Sequence, residues 1–324
     1  MVKVLITGAA GLIGSHLAEA LVGAGEEVVA TFFKPTIDLA TVRGDVAFTP
    51  LDVTDREATY EIIEKFRPDV IYHLAAQSLP TVSWLDPWTT LDVNLIGTVN
   101  VFEAVKDMKS ASGYDPRIVV ACSSAAYGAS LTPERVPVDE DAPLLPLHPY
   151  GVSKVGQDLL TYQYHVNFGI RGVRARIFNC TGPRKRNDVV SDFGRSVVQA
   201  LRLGHPVKVG NLETRRAIID IRDMVAALIL LSKSGADGEA FNICAENIVQ
   251  IREVLTMYFE AVGRELPYEV DPKLLRPSDE PVIVGSTRKL REATGWSPSV
   301  PLRQTVRDVL DFELAAFERD LAGV

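Results

Sequence analysis

The chain has 324 residues, one large domain or two ordinary ones at about 150 residues each. Hydrophobic residues make up 47% and charged residues 23%, and 34 Lys+Arg against 42 Asp+Glu leave a net charge of −8, which excludes the basic footprint of a nucleic-acid binder. Cys122, Cys180 and Cys244 are widely spaced with no CxxC pair; this excludes a disulfide framework or a metal cluster and predicts a reducing, cytoplasmic compartment. The longest wholly apolar run, Met224 to Leu231, is far short of the roughly 18 residues of a transmembrane helix, so no membrane partner is expected.

Short apolar runs alternate with helix-length amphipathic stretches from the first residues on. Lys3 to Thr7 predicts a buried strand and Ile13 to Val22 the helix after it. Glu27 to Phe33 and Asp45 to Pro50 predict two more strands, Glu57 to Phe66 a helix, and Asp69 to His73 a fourth strand. A long helix is expected over Leu91 to Met108, then strand Arg117 to Cys122, helix Tyr150 to Asn167 and strand Arg171 to Phe178. Continuous β-branched runs separated by helices predict an α/β fold, a Rossmann-like doubly wound parallel sheet covered on both faces. Beyond about residue 179 the periodic segments shorten to Ser191–Leu203, Met224–Ser232 and Ile251–Val262, with a closing amphipathic helix over Leu302–Leu321. Ala217 to Ile221 and Glu239 to Ile243 read as further strands of the sheet. Residues 1–178 plus 217–245 are therefore expected to form the dinucleotide-binding domain, and 179–216 plus 246–324 a smaller α/β substrate-binding lobe.

Gly8, Gly11 and Gly14 lie in Thr7-Gly-Ala-Ala-Gly-Leu-Ile-Gly14, between the first strand and the first helix. This spacing predicts a tight turn, a close approach of backbone to a pyrophosphate, and free N–H groups of Leu12 and Ile13 at the helix start. After the second strand, where NAD-binding units often carry a carboxylate, stand Phe32, Phe33 and Lys34, so NADP is favoured over NAD. Asp52, with Val53 beside it, is a candidate for the adenine amino group, and Asp55 is the better candidate for a helix cap.

Tyr150 and Lys154 stand four residues apart on one helix face, and of nine tyrosines Tyr150 alone has a lysine at that spacing. The ammonium is expected to lower the phenol's pKa, so that Tyr150 exchanges protons with a substrate oxygen. Together with the serine-rich strand end Cys122-Ser-Ser-Ala-Ala-Tyr-Gly128, His73-Leu-Ala-Ala-Gln77 and Asn94 in Asn-Leu-Ile-Gly-Thr98, the chain resembles the extended short-chain dehydrogenase/reductase superfamily over essentially its whole length. The resemblance implies a catalytic triad of Ser123, Tyr150 and Lys154, with Leu74, Ala75 and Ala76 against the cofactor and Asn94 supporting the active-site helix. It also implies a homodimer through the helices at Leu91–Met108 and Tyr150–Asn167. His73 is expected to be a structural contact.

Lys208-Val-Gly-Asn-Leu-Glu-Thr-Arg-Arg216 and Leu275-Arg-Pro-Ser-Asp279 are similar to the substrate lobe of GDP-mannose 4,6-dehydratases and GDP-4-keto-6-deoxy-mannose reductases. That resemblance implies diphosphate and nucleoside contacts from Asn179, Arg184, Asn211, Arg216, Arg276 and Asp279. It implies a hexose pocket lined by Gln77, Ser78, Ser124 and the Ser83-Trp84 pair. Guanidinium forks suit phosphate oxygens, and a carboxylate can accept two ribose hydroxyls. Two positions depart from the branch: Ala125 replaces the glutamate that would serve a dehydratase as base, and Ala217 replaces an aspartate. The expected activity is NAD(P)-dependent reduction at C4 of a GDP-4-keto-6-deoxyhexose. A GDP- or UDP-hexose 4-epimerase with bound NAD is the alternative, and a dehydratase or a non-catalytic dinucleotide sensor is less favoured.

Overall fold

Seven parallel strands form the frame that carries the glycine-rich and serine-rich loops to one edge of the molecule. The computed structural model describes residues 1–234, 236–275 and 281–322. The first half runs β1 (Lys3–Thr7), α1 (Leu12–Gly23), β2 (Glu27–Phe32), β3 (Phe48–Pro50), α2 (Arg56–Phe66), β4 (Val70–His73), α3 (Pro80–Leu85), α4 (Pro87–Leu91), α5 (Gly97–Ser112), β5 (Arg117–Ser123), α6 (Pro149–Phe168) and β6 (Arg171–Ile177). The second half runs β7 (Cys180–Thr181), α7 (Val189–Leu203), β8 (Val207–Val209), β9 (Arg215–Ala217), β10 (Ile219–Asp220), α8 (Ile221–Ser234), β11 (Ala240–Ile243), β12 (Ile248–Gln250), α9 (Ile251–Ala261), β13 (Tyr268–Val270), β14 (Val282–Ile283), α10 (Arg288–Thr294) and α11 (Leu302–Ala322).

The main sheet is ordered β11-β6-β5-β4-β1-β2-β3. Strand order reverses between β1 and β4, and a crevice opens at the carboxyl ends of the strands at such a switch point. Successive residues alternate faces. Val4, Ile6, Tyr72 and Val119 join α1 and α8 in one core; Leu5, Ile71, Ile118 and Val120 join α2, α5 and the end of α6 in another. Both faces are thus covered, which is why these strands read as unbroken apolar runs.

A third core, of Phe193, Val197, Val209, Val254, Tyr258 and Val309 among others, fills the smaller lobe between α7, α9 and α11. Val282, Val284, Leu290 and Trp296 pack instead on the α8 side of the large sheet, so the segment at 282–296 belongs to the first core rather than with the rest of 246–324. Ala217 to Ile221, expected as one strand of the main sheet, is two short strands in two small sheets. The split falls at Ile218, which faces the third core while Ala217 and Ile219 face the first. Glu239 to Ile243 does become the outer strand, paired in parallel with β6. The strand expected from Asp45 begins only at Phe48, because Gly44 bends the chain at φ 79°. The helix expected over Leu91–Met108 is interrupted by a π turn at Asp92–Ile96. Among the described residues no helix is long and apolar enough to cross a membrane.

Candidate active site and cofactor cleft

The glycine loop sits at the switch point, between β1 and α1. Gly8 has φ 72°, and a Cβ there would lie 2.7 Å from the Ala75 nitrogen; one at Gly14 would lie 2.4 Å from the Gly8 oxygen. Both positions exclude any larger residue and keep the loop tight against Leu74 and Ala75. Gly11 is less crowded, with the Gly8 oxygen at 3.3 Å and Thr36 Oγ1 at 3.7 Å from the same construction. The helix it opens has no side-chain cap, so the amides of Leu12, Ile13 and Gly14 are presented with the positive end of the helix dipole. A loop whose bare backbone faces a helix N-terminus fits the pyrophosphate of a dinucleotide.

Around the loop, Lys34 is exposed and lies 5.1 Å from the Phe33 ring centroid. Asp52 accepts from the amide and hydroxyl of Thr54 through Oδ1, and Asp55 caps α2 by accepting from the Ala58 amide at 3.0 Å. Val53 is buried, and its side chain fills the space beside Gly97. Ala76 is half-buried at the start of the loop after β4.

The strand β5 ends on Ser123, whose Oγ accepts from the Ala125 amide at 3.1 Å and caps a single turn over Ser124–Ala126. Tyr150 opens α6, and its hydroxyl faces Ser123, close enough for that side chain to act on its pKa. His148 caps that helix, with Nδ1 accepting from the Gly151 amide at 3.0 Å, and its ring stacks on Tyr150 at 5.9 Å. One turn further on, Lys154 is 3% exposed and donates to the Ala121 oxygen at 2.8 Å and to Gln157 Oε1 at 2.7 Å. Ser123, Tyr150 and Lys154 are therefore brought together.

The electrostatics differ from the sequence expectation. Burial of its hydroxyl end pushes Tyr150 up to about 12, and the Ser123 side chain pulls back only part of that rise. Lys154 does not offset it: two of its donors are committed elsewhere, its ammonium is 5.6 Å from the ring centroid, and burial lowers it to about 8. In this state Tyr150 is a protonated phenol, a proton donor before it is a base.

Asn94 sits buried in the π turn and ties three segments together. Its Oδ1 accepts from the Gln77 amide at 2.8 Å, and its Nδ2 donates to the Gln77 oxygen at 3.0 Å and Ser153 Oγ at 2.8 Å. His73 is fully buried between Thr7 and Thr98, a structural contact as expected.

The residues expected at the sugar nucleotide are less uniform. Gln77, expected at the hexose, folds back onto Leu79 and Thr90 Oγ1, so its carboxamide is used in holding the 77–90 segment. Ser78 is exposed, Ser124 half-buried, and Ser83 is buried against the Pro80 oxygen. Trp84 lines an apolar cavity of about 410 Å³ with Pro87, Leu91, Leu147, His148 and Val152. Asn179 carries a buried Nδ2 without a hydrogen-bond partner among the described residues. Arg184, expected at the diphosphate, donates through Nη2 to Glu19 at 2.6 Å and His16 at 3.1 Å on α1, while its buried Nη1 has no hydrogen-bond partner among the described residues. Asn211 caps an exposed turn by accepting from the Glu213 amide, and Arg216 donates to the Arg215 oxygen from β9. Arg276 and Asp279 lie outside the described residues.

Sequence reasoning missed Gln157 and the capping role of His148; the histidine followed by proline at a helix start was the available signal for the second. No cluster of metal-ligating side chains occurs among the described residues.

Comparison with known proteins places the chain among nucleotide-sugar enzymes. The GDP-6-deoxy-D-mannose reductase of Pseudomonas aeruginosa is 26% identical over 319 residues, covering 95% of this chain and 96% of that one. The solved structure of RMD from Pseudomonas aeruginosa complexed with NADPH superposes with a TM-score of 0.80 at 25% identity, over 97% of this chain and 99% of that one. The UDP-glucose 4-epimerase of Thermus thermophilus, in complex with NAD, gives a TM-score of 0.85 at 31% identity over 97% and 99%. The sequence model of the GDP-mannose 4,6 dehydratase family matches residues 5–309, and the chain belongs to that family.

Proposed function

We propose that the protein is an NADPH-dependent reductase of a GDP-4-keto-6-deoxyhexose. The observation that carries this reading is that Tyr150 faces Ser123 with Lys154 one turn on, beside Ala125 and not a carboxylate. A nicotinamide dinucleotide bound along the glycine loop supplies the hydride. Ser123 hydrogen-bonds the C4 carbonyl oxygen and Tyr150 gives it a proton, which a phenol held near 12 still carries at neutral pH. Lys154 stabilises the phenolate left behind and holds the nicotinamide ribose. Elimination of water needs a base at C5, and Ala125 offers none, which argues against dehydration.

NADP is favoured because Phe32 and Phe33 put no carboxylate where a 2′-phosphate would stand, and the exposed Lys34 is placed to meet it. The GDP-linked substrate rests on the similarity to the reductase. The domain division carries the same logic: the large sheet holds the cofactor and the lobe of α7, α9 and α11 the sugar nucleotide. The three cysteines are free and buried, in keeping with a reducing cytoplasm. We also propose a homodimer through α5 and α6, since Val152, Leu159, Tyr162 and Val166 leave an exposed apolar stripe on α6.

A second reading, a sugar-nucleotide 4-epimerase, is favoured by the fold match to an epimerase and by the Ser-Ser-Ala-Ala strand end. Denaturing the purified protein and identifying released nucleotides by mass spectrometry, with NADPH oxidation followed against a GDP-4-keto-6-deoxyhexose, separates the two. Stoichiometric NADPH loss supports the reductase. Tightly held NAD with no net redox change gives the epimerase instead.

A further inference from the structure

Beneath the active site runs a buried chain of hydrogen bonds that ends on Lys154. The Ala75 amide donates to Thr7 Oγ1 at 3.2 Å, and Thr7 Oγ1 is 2.9 Å from His73 Nδ1. His73 Nε2 is 3.0 Å from Thr98 Oγ1, which also receives Gln157 Nε2 at 2.7 Å and itself donates to the Asn94 oxygen at 2.7 Å. Thr7, His73, Thr98 and Gln157 are each at most 1% exposed.

The direction of every bond follows. The Thr98 hydroxyl has one proton and spends it on the Asn94 oxygen, so it can only accept from His73 and Gln157. His73 therefore carries its proton on Nε2, and Nδ1 accepts from Thr7. Burial lowers this imidazole to about 3, so it stays neutral and the tautomer is fixed. The Gln157 amide nitrogen must then face Thr98, and its oxygen must face Lys154.

We propose that Gln157 is a positioning residue for Lys154: a carbonyl locked in orientation from the cofactor loop holds the ammonium in place and favours its charged form. This rests on the reading of Tyr150 and Lys154 as the pair that handles the proton. The ammonium has three donors; Ala121 and Gln157 take two, leaving one for cofactor or substrate. The other titratable groups facing Lys154 do not replace Gln157. Tyr150 on the same helix and Cys122 on β5 are both pushed up by burial and stay protonated, and His73 on β4 is neutral. Asp158, on the next turn, is tied to Arg174 at 2.7 Å and Arg176 at 2.8 Å on β6. The π turn and α5 present only Asn94 and Thr98 to the chain.

The test reads Lys154 directly. Protein carrying 13C at lysine Cε is titrated, and the Lys154 resonance is assigned by its loss in Lys154→Met. In the wild type the midpoint is expected near 8. Gln157→Met removes the acceptor and should lower the midpoint by about one unit, the scale of a hydrogen bond to a charged group. Gln157→Glu puts a carboxylate against the ammonium and should raise it above the wild type. The alkaline limb of kcat/KM should follow the midpoint, starting about one pH unit lower in Gln157→Met. A midpoint unmoved in Gln157→Met, whatever its melting temperature, overturns the proposal. If that variant does not fold, an unmoved or lowered midpoint in Gln157→Glu does the same. A wild type that reduces no keto sugar removes the functional reading while the midpoints still decide on Gln157.

Discussion

Lys154 must carry a positive charge in a place where water cannot help it. Its burial lowers the ammonium to about 8, whereas Tyr150 stays protonated to about 12, so the lysine sets the upper limit of activity. The sign follows from the chemistry: reduction leaves negative charge on the phenol oxygen, and a neutral amine cannot stabilise it. The reductive kcat/KM is therefore expected to be level below pH 7 and to fall as pH rises through about 8, measured from pH 6 to 10. Lys154→Met should lose about 100-fold or more below pH 7, the scale of a lost acid–base partner, with the gap to wild type narrowing above pH 8. A wild-type profile level to pH 10 would remove Lys154 from the reaction. The Tyr150–Lys154 pair was legible because a helix returns to the same face every three to four residues, which makes the two neighbours by arithmetic, whereas Ser123, at the end of β5, came from the family resemblance. The raised phenol was not. Spacing gives proximity along a helix, while the pKa depends on what covers the group and where the ammonium spends its donors.

At the scale of the element, α6 is built with its polarity reversed. Its buried face carries Ser153, Lys154, Gln157, Asp158 and Thr161, while Val152, Leu159, Tyr162 and Val166 stand about half exposed on the other side. The buried polar groups are satisfied by the partners described above and by the Asp158–Arg176 pair, as burial requires. The four outward side chains stay about half exposed even with the Arg174 guanidinium 5.3 Å from the Tyr162 ring centroid, and a stripe repeating at seven-residue steps suits a second helix. Leu159→Glu combined with Val166→Glu is expected to convert a dimer of 35.4 kDa chains into a monomer in analytical ultracentrifugation, with far-UV circular dichroism unchanged. A wild type that sediments as a monomer counts against the dimer outright. The length and amphipathic character of this helix were readable from residues. Which face was inside was not, because hydrophobic periodicity fixes a stripe and leaves open whether the stripe meets a sheet or another chain. The π turn at Asp92–Ile96 is illegible for a similar reason: one extra residue in a turn leaves the apolar pattern nearly intact, and what demands it is Asn94 reaching Gln77 and Ser153 at once.

For the whole molecule, the parallel sheet was legible because strands buried on both faces are unbroken apolar runs, and the small lobe was not, because its strands are two or three residues long and pair across large gaps in sequence. How the lobes are joined is decided in part by Arg184, which reaches from the segment after β7 to Glu19 and His16 on α1. Its guanidinium donates to His16 Nδ1, so Nε2 carries the proton and gives it to the Pro183 oxygen at 3.1 Å. Burial first and the neighbouring guanidinium second lower His16 to about 4. Below pH 6.5 the unfolded chain takes up protons that folded His16 and His73 refuse, so stability falls with pH, by about 1.4 kcal/mol per unit for each group, until His16 titrates near 4. Arg184→Ala leaves Glu19 without its cation, and breaking a mostly buried pair costs about 3 kcal/mol, several degrees of melting temperature at pH 7. The same change removes one cause of the low His16 value, so His16 accepts its proton at higher pH and the acid slope flattens. The gap between wild type and variant is therefore expected to narrow from pH 7 to pH 5 in thermal denaturation, with KM for the sugar nucleotide little changed. A variant with wild-type melting at pH 7 and a raised KM would instead put Arg184 at the diphosphate, where the family resemblance had placed it.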